Sequence, residues 1–187
     1  MATLIRQSDC LAVALGKRDE YTELHCGRVE SLCLQLGRRC NLSSYELMLL
    51  RVASKLHDVG KIGIPDYILL KPSRLETDEL EIMRSHAELG QTIFDKIPYK
   101  EALEVGLYIR CHHEAFDGSG YPDGLTGEEI PLCSKIISLA DSYDAMLTTR
   151  PYHKARTHEQ VMEIMRGERG RKSDPVLFDY FEQIVSH

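Results

Sequence analysis

The chain has 187 residues, enough for one domain that buries a hydrophobic core without disulfides. Hydrophobic residues make up 43% and charged residues 28%, which is typical of an ordinary globular protein. The formal net charge is -6 and no run of Lys or Arg stands out, which argues against a nucleic-acid polymer or a membrane surface as partner. A small anionic ligand is still compatible with this charge, because a bound metal ion can supply local positive charge.

The cysteines predict a reduced protein. Six are present and no two form a C-x-x-C pair. Cys26, Cys33 and Cys40 recur every seven residues, so they follow one side of a helix, and we interpret them as small buried residues rather than a zinc or redox site. The N-terminus lacks a signal-peptide pattern, and the apolar runs are too short to cross a bilayer. We therefore expect a cytoplasmic location and no membrane partner.

Hydrophobic periodicity predicts an all-α fold, a single bundle of seven to nine helices. The first helix is predicted at 4–17, and we expect residues 1–19 to form a connector or a dimer contact beside a main domain at 20–187. The other predicted helices lie, in chain order, at 21–39, 44–57, 77–85, 87–96, 100–113, 133–148, from 158 and from 175. Their predicted caps are Ser43 with Glu46, Thr77, Thr157 with Gln160, and Asp174 before Pro175. Residues 114–131 carry four glycines and two prolines, and such a long loop is usually functional.

Polar residues fall on the inward stripes of several of these helices. One histidine on an apolar face is more often a buried core residue than a ligand. Here five histidines and several acidic residues face inward together, and unpartnered burial would cost several kcal/mol for each group. Metal ions in the core of a helical bundle would satisfy such a set. The inward residues are His25, Arg28, His57, Asp58, His86, His112, His113, Asp141 and Asp144.

The types and spacing of these residues indicate which metals they suit. Imidazole and carboxylate without thiolate favour Mn, Fe, Co or Zn. Asp58 can bridge two ions about 3.5–4 Å apart. Adjacent residues on a helix point about 100° apart, since one turn has 3.6 residues. The pairs His57-Asp58 and His112-His113 can therefore both ligate only near helix ends, and the alternative is that either pair caps a helix.

Several motifs together resemble those of the HD-GYP domain family. The first runs from His57 to Asp66 and reads HDVGKIGIPD, and the second runs from His112 to Pro122 and reads HHEAFDGSGYP. The match continues through Gly124-Leu125, Ile130-Pro131, Ala140-Asp141, Tyr143-Asp144-Ala145 and Arg150-Pro151-Tyr152. It covers residues 20–182, nearly the whole chain. The resemblance implies an HD-domain-like helical bundle with a long GYP loop, and residues 20–187 as its catalytic domain.

The resemblance also implies a function. HD-GYP domains hydrolyse the second messenger cyclic di-GMP to pGpG or GMP, using a hydroxide held between metal ions, here two ions of Fe or Mn. The positions that match the family's metal ligands are His25, His57, Asp58, His86, His112, His113 and Asp141. Asp58 and Lys61 match catalytic positions. The expected substrate-binding residues are Lys61, Tyr121, Arg150 and Lys154. Arg28 and Asp144 are expected to form a buried ion pair that braces the site.

Two departures from the family pattern qualify this expectation. Members with three metals carry a glutamate four residues before the first ligand histidine, and this chain has Tyr21 there, which favours two metals. A second basic residue often follows the Arg-Pro-Tyr motif, where this chain has His153 and then Lys154. That change would weaken substrate binding or shift the preference among cyclic dinucleotides.

Other functions stay open on the sequence. The same chemistry on cyclic GMP-AMP is one alternative. A non-catalytic receptor or adaptor is another, holding a nucleotide or a diguanylate cyclase. The GYP loop and the basic residues argue against a di-iron oxygenase. The expected partners are a cyclic dinucleotide, a diguanylate cyclase or upstream sensor domain, and a second copy of the chain in a homodimer.

Overall fold

The computed structural model describes residues 2–18, 20–148 and 155–186, with the side chains of all of these except 2–4, 7, 17–18 and 20–23. Within this part of the chain there are helices and loops, and no strand is assigned. The α-helices are α1 Ala2–Arg18, α2 Glu20–Arg39, α3 Ser44–Leu56, α4 Asp66–Leu69, α5 Thr77–Arg84, α6 His86–Phe94, α7 Lys100–Arg110, α8 Leu132–Leu147, α9 His158–Glu168 and α10 Pro175–Val185. Two 3-10 helices lie at Val59–Gly63 and Gly127–Glu129. Nine of the described α-helices are longer than the four-residue α4, which confirms the predicted all-α bundle.

The predicted helix caps are mostly confirmed. The backbone N–H of Ser43 donates to Glu46 Oε2 at 2.8 Å and the N–H of Glu46 donates back to the serine hydroxyl at 3.2 Å, a reciprocal capping box. Thr157 forms the same box with Gln160, and Asp174 caps α10. The prediction for Thr77 is wrong by one residue, because Glu76 holds the extended backbone of the N-cap.

The predicted helix 100–113 is too long. Helix α7 ends at Arg110, since Cys111 leaves helical geometry at φ -93° and ψ 7°. His112 and His113 therefore lie in a turn, where two adjacent side chains can approach one point. The short helices Val59–Gly63 and α4 were not predicted, because their glycines and proline interrupt the hydrophobic period.

The hydrophobic core lies between α2, α3, α7 and α8, with α9 and α10 closing one side. Cys26 and Cys33 are buried in α2, which confirms their interpretation as small buried residues, whereas Cys40 is half-buried and lies one residue beyond the end of this helix. Burial raises the pKa of the Cys33 thiol, so it stays protonated and unreactive. No described helix is long and apolar enough to cross a bilayer.

Gly60 sets how closely the turn after α3 approaches α6. A Cβ atom at this position would lie 1.9 Å from the carbonyl oxygen of His86 and 2.6 Å from the backbone nitrogen of Gly90. Both contacts are with backbone, which cannot rotate away as a side chain can. Only glycine therefore allows the turn that carries His57 and Asp58 to pack directly on the helix that begins with His86.

We predict that Gly60→Ala lowers the free energy of unfolding by about 1–3 kcal/mol, the usual cost of overpacking a well-packed interior. The control is Gly27→Ala on the exposed side of α2, where an added Cβ meets nothing within 4 Å. Alanine has the higher helix propensity, so the control should gain about 0.5–1 kcal/mol. Thermal unfolding of the metal-free variants measures both changes. Equal stability of the two variants would contradict the close approach.

Candidate metal centre

Seven side chains from five places in the bundle converge on one buried region. His25 comes from the middle of α2, and Asp141 from α8. His57 and Asp58 follow the end of α3, where the helix gives way to a 3-10 turn. His86 opens α6. The structure thus brings together every residue that the sequence matched to a metal ligand, including His112 and His113 after α7.

The potential ligand atoms form two groups, and within each group they lie no more than 4.8 Å apart. We name the first the His86 group, and it consists of His86, His112 and His113. We name the second the His57 group, and it consists of His25, His57 and Asp58. Asp141 adds to the second group, because its Oδ1 lies 3.0 Å from His25 Nε2 and 3.8 Å from His57 Nε2.

Asp58 lies between the two groups with one carboxylate oxygen towards each. Its Oδ1 is 3.5 Å from Nε2 of His86, and its Oδ2 is 3.6 Å from Nε2 of His57. Both separations are too long for hydrogen bonds. They are the separations expected when an imidazole nitrogen and a carboxylate oxygen share a cation bonded to each at about 2.0–2.2 Å. The geometry suits a carboxylate that bridges two metal ions.

Hydrogen bonds on the far side of three histidine rings orient them. Nδ1 of His57, His86 and His112 lies 2.8, 2.8 and 2.6 Å from the backbone carbonyl oxygen three residues earlier. A ring that donates Nδ1–H to a carbonyl has its lone pair on Nε2, as metal-ligating histidines do. In all three rings Nε2 is buried, and among the described residues it has no hydrogen-bond partner. An unsatisfied buried polar atom costs about 1–3 kcal/mol, which a bound cation would recover.

Burial keeps the imidazoles of the His86 group neutral. Burial, together with the neighbouring His86, lowers the pKa of His113 to about 3. It also lowers the pKa of His86 and, more strongly, that of His112. Metal binding needs the neutral ring, so these three side chains are in the ligating form at neutral pH without first losing a proton.

The carboxylates of the centre are ionised despite their burial. Burial alone would raise the pKa of Asp58, but the charge of Lys61 holds it well below its usual range. Burial opposes ionisation of Asp141 too, and a hydrogen bond with His25 lowers its pKa. For His25 itself burial lowers the pKa, but Asp141 and Asp144 outweigh it and raise the value to about 9. The His57 group therefore favours a positive charge, which a metal ion can supply in place of a proton.

The predicted pair of Arg28 and Asp144 forms, and it supports His25. Arg28 Nε and Nη2 donate to the two oxygens of Asp144 at 2.6 and 2.9 Å. Asp144 Oδ2 lies 2.6 Å from His25 Nδ1, so the carboxylate orients the ring from behind. The expectation that the pair is buried is wrong for Arg28, whose side chain is 44% exposed while that of Asp144 is 6% exposed. A long arginine reaches from the surface and leaves part of its guanidinium in water.

Besides Asp58, two of the predicted catalytic and substrate-binding side chains line the centre. Lys61 Nζ lies 2.6 Å from Asp58 Oδ2. The ring of Tyr121 stacks on His113 with centroids 4.8 Å apart. Arg84, which the sequence did not single out, lies 5.1 Å from the centroid of the Tyr121 ring. The remaining predicted residues lie outside the described part of the chain: Arg150, His153 and Lys154, and the side chain of Tyr21.

The GYP loop, residues 114–131, is fixed by a buried glutamate whose role the sequence did not reveal. The carboxylate of Glu114 accepts hydrogen bonds from the backbone N–H groups of Asp123 and Leu125, at 2.7 and 3.0 Å. A Cβ at Gly120 would lie 2.2 Å from the nitrogen of Ala115, so this close crossing of the loop needs glycine. The loop is therefore a packed element that holds Tyr121 against His113.

The fold and the site together define a helical-bundle protein with a binding centre for divalent metal. Five imidazoles and two carboxylates, without a thiolate, fit Mn, Fe, Co or Zn. The types of ligand atom, the orientation of the rings and the buried Nε2 atoms therefore all indicate a metal site.

Comparison with known proteins identifies the family. A family model described as HD domain matches residues 6–177. The cyclic di-GMP phosphodiesterase response regulator RpfG of Xanthomonas campestris is 39% identical over 170 residues, which cover 90% of this chain and 45% of that protein. The 3'3'-cGAMP-specific phosphodiesterase 2 of Vibrio cholerae is 38% identical over 181 residues, covering 94% of this chain and 34% of that protein. The chain belongs to the HD-GYP branch of the HD domain family.

Solved structures agree on the fold. An HDG"Y"P protein from Bdellovibrio bacteriovorus has a TM-score of 0.72 at 18% identity, over 90% of this chain and 54% of that one. The HD domain of the phosphodiesterase PgpH from L. monocytogenes has a TM-score of 0.65 at 17% identity, over 94% of this chain and 97% of that one. The chain spans less than half the length of the curated relatives described above.

We predict that Asp144→Asn weakens metal binding about 10–100-fold, the usual effect of losing a partner that orients a ligating histidine. The asparagine keeps the size of the side chain but removes the charge that His25 and Arg28 both contact. Asp179→Asn is the matched control, since this aspartate forms a similar two-point pair with Arg169 at the surface. Calorimetric titration of the metal-free variants with Mn²⁺ measures the affinity. Equal affinity in both variants would show that Asp144 does not support the centre.

Proposed function

We propose that this chain is a metal-dependent phosphodiesterase that hydrolyses cyclic di-GMP to pGpG, GMP or both. The proposal rests on the position of Asp58 between two groups of imidazoles. One oxygen of its carboxylate faces the His86 group and the other faces the His57 group. Two metal ions on such a carboxylate are a common arrangement for displacement at phosphorus. The names of the relatives, cyclic di-GMP phosphodiesterase and 3'3'-cGAMP-specific phosphodiesterase, support the same chemistry.

In this proposal two divalent ions, Fe or Mn, occupy the centre. Three imidazoles and Asp58 Oδ1 would hold one ion, and two imidazoles, Asp141 and Asp58 Oδ2 would hold the other. The proposed ligands are His86, His112 and His113 for the first ion, and His25, His57 and Asp141 for the second. When bound, the ions lower the pKa of water and polarise the phosphodiester.

The chain's own residues would position the substrate and balance its charge. Lys61 is a cation beside Asp58, where it would offset the negative charge that develops on the phosphoryl oxygens. Tyr121 would contact the substrate from its place on His113. We also propose that Arg150 and Lys154 bind phosphate, with the arginine offering its planar fork of donors.

The wider setting of the domain is also a proposal. We keep residues 20–187 as the catalytic domain and 1–19 as a connector or dimer contact, although Leu15 of α1 is buried against the bundle. A cytoplasmic location, an upstream sensor domain, a diguanylate cyclase partner and a homodimer are further expectations from the sequence.

A second candidate substrate is cyclic GMP-AMP. This substrate is favoured by the Vibrio cholerae relative named 3'3'-cGAMP-specific phosphodiesterase 2, whose match covers 94% of the present chain. The third possibility, a receptor that binds without cleaving, is an outcome of the same test.

The test is anaerobic purification, loading with Fe²⁺ or Mn²⁺, and turnover of cyclic di-GMP and cyclic GMP-AMP followed by chromatography. We expect linear pGpG or GMP from the preferred substrate and none after the metal is chelated. Full loading with either metal, binding of a cyclic dinucleotide and no cleavage would contradict the enzyme and favour the receptor.

Exchange of the bridging residue gives a sharper prediction. Asp58→Ala should lower both turnover and metal content, turnover by about 100-fold or more, because a ligand matters at least as much as the groups that orient it. Asp95→Ala, at an exposed site after α6, is the control and should keep both. Metal analysis beside the activity assay separates the two effects. Two ions per chain in Asp58→Ala would contradict the bridging role.

A further inference from the structure

A cavity of about 330 Å³ opens beside the metal centre. His113 and Tyr121 form its wall on the side of the centre, and Glu168 and Lys172 form another part of its wall. Small-molecule sites usually span about 300–1,000 Å³, so this cavity is at the lower end of that range. It is the size for one nucleoside rather than for a whole cyclic dinucleotide.

The walls of the cavity suit a flat ring. Leu139 and Met165, two almost fully buried apolar residues, lie behind these walls. Phe116 from the GYP loop lines the same space. Nucleic-acid bases bind against such apolar and aromatic side chains whatever their sequence, because every base has a π-face.

The polar groups in the cavity offer both a hydrogen-bond acceptor and donors. Lys172 Nζ donates to Glu168 Oε1 at 2.6 Å, so a carboxylate and an ammonium group lie side by side. Ser138 and Ser142, one turn apart on α8, also line the cavity. Among the described residues neither serine hydroxyl has a hydrogen-bond partner, which leaves both hydroxyls available to a ligand.

Backbone contacts fix the turn that carries Glu168 and Lys172. The carbonyl oxygen of Glu168 accepts from the N–H groups of Arg171 and Lys172 at 3.0 and 2.9 Å, which closes a tight turn after α9. The N–H of Phe116 donates to the carbonyl oxygen of Lys172 at 3.1 Å. The turn is thereby joined to the GYP loop, which places the backbone of Glu168 and Lys172 beside that loop.

We propose that this cavity is a guanine subsite, in which Glu168 reads the base while the adjoining phosphate lies on the metal centre. The inference rests on the proposed function for its substrate class. Guanine presents N–H donors at N1 and N2 beside the acceptor O6, which matches a carboxylate next to an ammonium group. Adenine presents the N1 lone pair at the same place and lacks the N2 amino group, so the carboxylate disfavours it.

Binding of mononucleotides to the metal-free protein tests the subsite without any catalysis. Titration calorimetry would compare GMP with AMP on the wild type, on Glu168→Gln and on the control Glu163→Gln, an exposed residue of the same helix. We expect GMP to bind about tenfold or more tightly than AMP, as a bidentate base contact does. The preference should vanish in Glu168→Gln and persist in Glu163→Gln. No preference in the wild type, or an unchanged one in Glu168→Gln, would overturn the proposal.

Turnover by the metal-loaded protein gives a second measurement. In Glu168→Gln the KM for cyclic di-GMP should rise about tenfold or more, with kcat changed less than about twofold, because the residue contacts only the base. Hydrolysis of bis(p-nitrophenyl) phosphate, which carries no base, should be unaffected. If the wild type hydrolyses neither cyclic di-GMP nor bis(p-nitrophenyl) phosphate, the proposed phosphodiesterase activity is refuted. The binding of GMP and AMP then decides on the guanine subsite alone. An unchanged KM in Glu168→Gln would refute the subsite alone.

Discussion

The structure depends on one buried carboxylate that two groups of imidazoles share. Asp58 faces His86 with one oxygen and His57 with the other, and Lys61 neutralises part of its charge. Burying a carboxylate is costly unless a cation compensates. The bundle is therefore suited to bind cations, since α2, α6 and α8 each bring one candidate ligand to the same region, and the turns after α3 and α7 bring two each.

The close approach at Gly60 makes this sharing possible. The turn after α3 must touch the backbone of α6 for Asp58 to reach His86. A side chain at that position would push the two elements apart and separate the carboxylate from one of its groups. Carbonyl oxygens then orient three of the rings, while Asp144 orients His25. The close backbone approach and the hydrogen bonds to Nδ1 thus both help to direct the Nε2 atoms of these rings towards the centre.

Much of this arrangement follows from the sequence. The helical period places His25, His57 and Asp141 on inward stripes, and the capping pattern at Ser43 fixes where α3 begins. The pairs His57-Asp58 and His112-His113 can be assigned to helix ends because adjacent residues on a helix diverge. The resemblance to HD-GYP domains adds the expectation of a phosphodiester substrate, which no spacing of residues reveals.

Other features depend on contacts between residues far apart in the chain. Glu114 holds the GYP loop through backbone groups nine and eleven residues later, and a sequence pattern does not show which amides a carboxylate will meet. The exposure of Arg28 depends on where the surface lies. The cavity that joins Tyr121 to Glu168 arises only when the GYP loop packs on the turn after α9.

The most direct test of the shared carboxylate is anomalous X-ray diffraction from crystals of the Mn²⁺-loaded protein. The account predicts two anomalous peaks about 3.5–4 Å apart, one on each side of the Asp58 carboxylate. A single peak, or two peaks of which only one contacts Asp58, would contradict it.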